Sequence, residues 1–139
     1  MRKENWPVIL EEKIKEEIDA PFEWGQADCL QFPAFIAAAL LDYDVLQKAQ
    51  AHLFQYDSEE SAKRVLKEHF NDDMGGCFDL VFERIPVSKA GRGDIVIIER
   101  GTIKACGIVD STGRKAACKS EIGILFVPLS NAIAAWRVE

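Results

Sequence analysis

Residues 29–41 carry no charged side chain, and that run leaves the chain few ways to fold. Leu30, Phe32, Phe35, Ile36, Ala37, Ala38, Ala39, Leu40 and Leu41 put apolar atoms on nearly every side of a helix drawn through them. Such a helix must be buried on most sides and lie at the centre of the fold. Just before it, Asp28 is a favoured N-cap residue, and Gln31 stands three residues later, where a capping box places Glu or Gln. The spacing therefore predicts Cys29 at the first helical position. A thiol there feels the positive end of the helix dipole, which favours thiolate, while the Asp28 carboxylate opposes it. The competing reading is a purely structural cysteine, since free cysteine is among the most buried residue types. Pro33 lies late for a first-turn proline and is expected to cost a hydrogen bond or bend the helix start.

Upstream, Trp6, Leu10, Ile14 and Ile18 recur every fourth residue and acidic and basic residues fill the other face, which predicts an amphipathic surface helix with Asn5 as its cap and Pro7 in its first turn. Downstream, residues 43–70 turn polar and helical. Leu46 and Leu53 mark one short peripheral helix, and Val65, Leu66 and Phe70 mark a second that Asp57 or Ser58 can cap. Both histidines, His52 and His69, fall here and read as ordinary surface or half-buried helix residues. After Asp72-Asp73-Met74-Gly75-Gly76 strand signals dominate: residues 80–82, 94–99, 104–110, 115–120 and 124–127 alternate or run apolar between glycine-containing turns. A last segment, 131–138, brings Trp136 in as a terminal core anchor. Helices followed by an antiparallel meander of about five strands means an α+β fold. At 139 residues this is one domain, helical over about 1–74 and strand-rich over about 75–139.

The acidic balance, 23 Asp plus Glu against 17 Lys plus Arg, comes without any basic cluster interleaved with aromatics, which argues against nucleic acid as a partner. The uncharged run is too short to span a bilayer, and the N-terminus lacks the continuous apolar stretch of a secretory signal. A soluble product made in the cytoplasm is expected, with no membrane partner. The four cysteines, at 29, 77, 106 and 118, have no CxxC spacing, so neither a metal site nor a cofactor is expected. A three-residue loop within Asp110-Ser111-Thr112-Gly113-Arg114 would set Cys106 opposite Cys118, where a cross-strand disulfide is conceivable, although two reduced strand residues are the simpler reading.

Taken in order, three features resemble one superfamily. Phe22-Glu23-Trp24-Gly25-Gln26-Ala27-Asp28-Cys29 ends at a helix start, Gly93-Asp94-Ile95-Val96-Ile97 opens a strand, and Cys106-Gly107-Ile108-Val109 lies on the next. The chain resembles the NlpC-type cell-wall peptidases, a papain-like group. More closely it resembles a family of phage and prophage proteins related to them, which share the F-x-W-G-x-x-D-C segment and a C-terminal A-W-R-V like Ala135-Trp136-Arg137-Val138. The resemblance implies a papain-like fold in which the central helix packs on an antiparallel sheet or barrel.

In the active peptidases the helix-start cysteine attacks an amide of the peptidoglycan stem peptide, and a strand histidine activates it, because an unperturbed thiol is only a few per cent thiolate at neutral pH. A further polar residue orients that histidine. The resemblance carries the nucleophile onto Cys29. With Gly107 as the strand glycine, the histidine position holds Ala105, the third position falls near Ala116 or Ala117, and the family's upstream tyrosine is matched by Phe22. Of the two histidines, His69 is the better candidate for a replacement base.

The resemblance thus implies a phage- or prophage-derived protein that has lost peptidase chemistry and serves as a tail-assembly or tail-tip component, possible virion association included, or as a binding module. Its groove would be lined by Trp24, Cys29, Ala105 and Gly107, with Asp28 and Ala117 beside it, and its partners would be phage tail proteins or a peptidoglycan-like peptide. The alternative is an active thiol peptidase or amidase that uses Cys29 with an unconventional base. A third reading is a plain assembly factor in which Cys29 is simply core.

Overall fold

The computed structural model describes residues 1–24, 28–45, 56–70 and 73–139. Among these, four α-helices come first: α1 (Trp6–Ile18), α2 (Gln31–Leu40), α3 (Glu59–Phe70) and α4 (Gly75–Asp79). Six strands follow: β1 (Glu83–Ile85), β2 (Ile95–Arg100), β3 (Ile103–Val109), β4 (Lys115–Ser120), β5 (Gly123–Pro128) and β6 (Ala132–Arg137). They form one antiparallel sheet in the order β1-β6-β2-β3-β4-β5. The α+β class holds. The sheet is open, with β1 and β5 at its edges, and has one strand more than the sequence suggests.

The extra strand has two causes. Residues 132–137 do more than anchor Trp136: they pair on both sides, with β1 and with β2. Residues 80–82 are not the first strand but the turn that leaves α4, since the Val81 and Phe82 N–H groups both donate to the Phe78 carbonyl at 3.1 and 2.9 Å. A short apolar run such as Leu80-Val81-Phe82 has no period of its own to tell a strand from a helix end. The strand starts one residue later, at Glu83.

α1 spans the predicted residues and buries Leu10 and Ile14, although Asn5 caps it through its carbonyl, which accepts from Val8 and Ile9 N–H, and not through its side chain. Ser58 caps α3 in a reciprocal arrangement: its hydroxyl accepts from Ser61 N–H at 3.1 Å, and the Ser61 hydroxyl accepts from Ser58 N–H at 3.1 Å. The short helix expected around Leu46 and Leu53, like His52 and the His69 side chain, lies outside the described residues. No helix among the described residues is long and apolar enough to cross a membrane.

α2 lies between α1 and the sheet. Phe32, Ile36, Ala37 and Leu40 meet Ile95, Ile97, Cys106, Ile108 and Ala117 in the main core, while Phe35 points outward and is 44% exposed. The opposite face of the sheet is apolar as well: Val96, Ile98, Val109, Ala116, Cys118, Val127 and Ala135 form a second, smaller core. Being buried on both faces is why Ile95-Val96-Ile97-Ile98 reads as an unbroken apolar run.

The β3–β4 connection decides the fate of the cysteines. Asp110 N–H donates to the Lys115 carbonyl at 2.9 Å, and the Asp110 carboxylate accepts from Thr112 N–H, so the loop holds four residues, 111–114, where three were expected. Register shifts by one, pairing Ile108 with Ala117 and Val109 with Ala116. A one-residue slip sends a side chain to the other face of a sheet. Cys106 accordingly belongs to the main core and Cys118 to the second, and all four cysteines are free. Gly107 faces Cys118, where a Cβ would come within 2.6 Å of its sulfur.

Both ends of the chain are tied to the entry of β2 by the fully buried Asp94. Its Oδ1 accepts from the Arg2 guanidinium at 2.8 Å and from Val138 N–H at 3.1 Å, and its Oδ2 accepts from Gly91 N–H at 3.0 Å. Arg2 also donates to the carbonyls of Val138 and Arg92, and its guanidinium lies 4.4 Å from the centre of the Trp6 ring. Removing one partner of a buried ion pair leaves the other charge uncompensated, at a cost of about 3–5 kcal/mol. Asp94→Ala is expected to destabilise the fold by that amount, read as a lower urea midpoint; a loss under ~1 kcal/mol, the scale of an exposed pair, would contradict this role.

Candidate functional site

The start of α2 is set by two residues acting in opposite directions. Phe32 N–H donates to the Asp28 carbonyl at 2.9 Å, which is the first helical bond, and Asp28 Oδ1 accepts from Leu30 N–H at 2.9 Å and Gln31 N–H at 2.8 Å. By these bonds Asp28 is the N-cap and Cys29 the first helical residue, as the sequence predicts. The next bond in the ladder would come from residue 33, a proline with no N–H to give, so the regular helix is counted only from Gln31.

Asp28 is fully buried. A buried carboxylate needs donors on its remaining lone pairs, and the side chain of Tyr56 supplies one: its phenol is hydrogen-bonded to Asp28 and to Gln31. Burial and the adjacent Asp28 raise the Tyr56 phenol well above its ordinary range. Tyr56 carries no signal in the sequence, because it lies in a polar stretch far from Asp28. Only the need of a buried acid for a partner hints that some donor must come from elsewhere.

Beside this cluster lies a cleft of about 240 Å³ between the start of α2, α3 and β3, lined among others by Trp24, Cys29, Tyr56, Leu66, Met74 and Lys104. Its inner wall is apolar, and Lys104 stands at its β3 side. Trp24 packs edge-on against Phe22, with ring centres 4.9 Å apart and planes at 84°.

Of the residues singled out from sequence, Trp24 and Cys29 line the cleft and Asp28 lies beneath it. Ala105 and Gly107 do not line it. Side chains alternate along a strand, and on β3 it is Cys106 and Ile108 that join the core under α2, with Lys104 in the cleft, while Ala105 packs with the second core and Gly107 faces Cys118. The groove expected from these four residues is therefore half right, and the reason is the pleat: position 105 and position 107 turn away together. Ala117 is buried in the core beneath α2, next to Ile108.

The Cys29 thiol is pushed up to about 11, first by burial and then by the charge of Asp28. A rise of this size disfavours thiolate by about 2–3 kcal/mol, more than the ~0.3–1 kcal/mol that a helix start can return. At neutral pH the thiolate fraction is then about one in ten thousand. Cys77 and Cys118 are each raised by burial to about 12, and burial raises Cys106 well above the ordinary thiol range. Among the described residues no group of three or more His, Cys, Asp or Glu is placed to hold a metal ion.

The sequence model of a domain of unknown function, DUF6950, matches residues 1–138, and the chain belongs to that family. No curated protein matches the sequence.

Two outcomes follow from this electrostatic arrangement. Asp28→Asn keeps an oxygen for the cap but removes the charge, so alkylation of Cys29 at pH 8 should speed up with little loss of stability, whereas Asp28→Ala should cost about 1 kcal/mol or more from the lost cap alone. An unchanged alkylation rate in Asp28→Asn would show that Asp28 does not hold the thiol neutral. Second, all four thiols keep their protons in the folded chain to higher pH than in the unfolded chain. Above the ordinary thiol value of 9.0 the unfolded state thus binds fewer protons, and stability falls as pH rises from about 9 towards 11–12. Urea midpoints that stay flat across that window would contradict it.

Proposed function

We propose that this DUF6950 domain is a phage- or prophage-derived relative of the NlpC-type peptidases that has lost hydrolytic chemistry and acts as a binding module, with the cleft at the start of α2 as its retained site. The lineage and the phage setting rest on the resemblance of residues 22–29, 93–97, 106–109 and 135–138 to those proteins. The loss of chemistry rests on one observation: Cys29 occupies the nucleophile position, yet burial and Asp28 hold its thiol near 11.

Proton abstraction by a positioned base contributes typically 10²–10⁴-fold to such a reaction. On β3 the groups on the Cys29 side are Lys104, Cys106 and Ile108, and none of them is an imidazole. The Tyr56 hydroxyl is committed to Asp28 and Gln31. Among the described side chains, the cleft offers a recognition surface. Trp24 offers an aromatic ring, Leu66 and Met74 an apolar wall, and Glu59, Lys63 and Lys104 charges of both signs, a combination suited to a short peptide that carries charged groups.

The test is incubation with peptidoglycan stem peptides, followed by mass spectrometry for cleavage and by chemical-shift titration for binding. Shifts in Trp24 and Met74 without any cleavage are expected, with binding weakened about tenfold in Trp24→Ala. Ala105→His should not restore cleavage, because that position faces the second core. Cleavage that disappears in Cys29→Ser would overturn the reading in favour of an active thiol peptidase.

A further inference from the structure

The two edges of the sheet are built differently. At one edge β1 has three residues, Glu83, Arg84 and Ile85, and Pro86 follows at once. Short length, charge and proline are the devices that keep an edge from recruiting another chain. At the other edge β5 runs Gly-Ile-Leu-Phe-Val-Pro over six residues without a charge. Leu125 is 47% exposed, Phe126 42%, and Ile122 in the adjoining turn 88%. Pro128 blunts only the far end.

The turn before β5 fixes which main-chain groups point outward. Glu121 and Ile122 alone separate the paired residues Ser120 and Gly123. In a two-residue hairpin the closing pair exchanges both of its main-chain bonds. Alternation from there directs Gly123, Leu125 and Val127 toward β4, and turns the N–H and C=O groups of Ile124 and Phe126 to the open side. A second β5 running antiparallel satisfies all four groups at once when Ile124 of one copy lies opposite Phe126 of the other. The twofold axis then passes between the two Leu125 residues.

Charge agrees with this alignment. Lys115 pairs with Pro128, so Arg114 and Lys115 mark the far end of β5, while Glu121 marks the near end, and all three are exposed. Antiparallel pairing brings each copy's Glu121 to the Arg114 and Lys115 end of the other. Parallel pairing would place like ends together.

We propose that β5 is a self-association edge, at which two copies of this chain pair antiparallel and join their sheets into one. An edge-to-edge contact buries little surface, so the dimer is a weak one that forms in the micromolar range or above.

Sedimentation velocity on the full chain over rising concentration tests this. A reversible monomer–dimer equilibrium is expected, weakened about tenfold or more by Leu125→Lys or Phe126→Lys. Ile103→Lys, at a residue 68% exposed at the start of β3, is the control and should leave it unchanged. Circular dichroism melts confirm that each variant folds. Leu125→Cys adds a positional readout, made like its control in a Cys118→Ala background because Cys118 is the β4 residue directly opposite Leu125 and would otherwise close an intrachain disulfide. A directly opposed pair of this kind has a Cα separation of about 4.5 Å, within the range a disulfide spans. Mild oxidation should therefore cross-link Leu125→Cys and not Ile103→Cys. A chain that stays monomeric at every concentration overturns self-pairing, whatever other strand the edge accepts. So does a dimer indifferent to Leu125 and Phe126, or a Leu125→Cys chain that dimerises without cross-linking.

Discussion

α2 can lie buried on most of its sides only because its first turn is closed by Asp28. The Leu30 and Gln31 N–H groups of the helix start are buried, and the carboxylate takes both of them while Tyr56 satisfies the carboxylate in return. This one group fixes where the helix begins and which residue stands first in it, and it adds to the burial that keeps the thiol of that residue protonated. The cost of leaving a buried acid unpartnered explains why Tyr56 is drawn in beneath the cleft.

A second buried carboxylate plays the same part for the sheet. Asp94 stands at the entry of β2 and gathers Arg2, Gly91 and Val138, so that the first and last residues of the fold meet at the start of a central strand. The Asp-Cys and Gly-Asp elements that carry the family resemblance are thus both structural in this chain: one caps a helix, the other ties a strand. Under the lineage proposed above, these structural roles give such short motifs a physical reason to persist without the chemistry. A cap and a buried ion pair are needed for folding whether or not the neighbouring thiol reacts.

Features that depend on near neighbours were legible in the sequence. The spacing of Asp28 and Gln31 set Cys29 at the helix start, the four-residue recurrence of Trp6 to Ile18 gave α1, and Ser58 capped α3. Features that depend on distant partners were not. Nothing local to residues 132–137 says that they pair between β1 and β2, and nothing in the polar stretch around Tyr56 says that its phenol reaches Asp28. The β3–β4 loop shows how small the margin is. One more residue in the loop, held by the Asp110 side chain on Thr112, separates Cys106 from Cys118 by the thickness of the sheet. The same pleat turns Ala105 and Gly107 away from Cys29, a fact that motif spacing alone does not carry.

The loss of thiol chemistry at the cleft stands or falls with the protonation of Cys29. Its most direct test is the rate of iodoacetamide labelling at Cys29 as a function of pH, resolved by mass spectrometry from the three buried cysteines and checked against Cys29→Ser. A rate that keeps climbing with pH toward about 11 is the result required by a thiol held neutral by burial and Asp28. A rate that reaches its plateau below about pH 8, under the value of a free thiol, would mean that an activating partner stabilises the thiolate, and the site would have to be taken as catalytic.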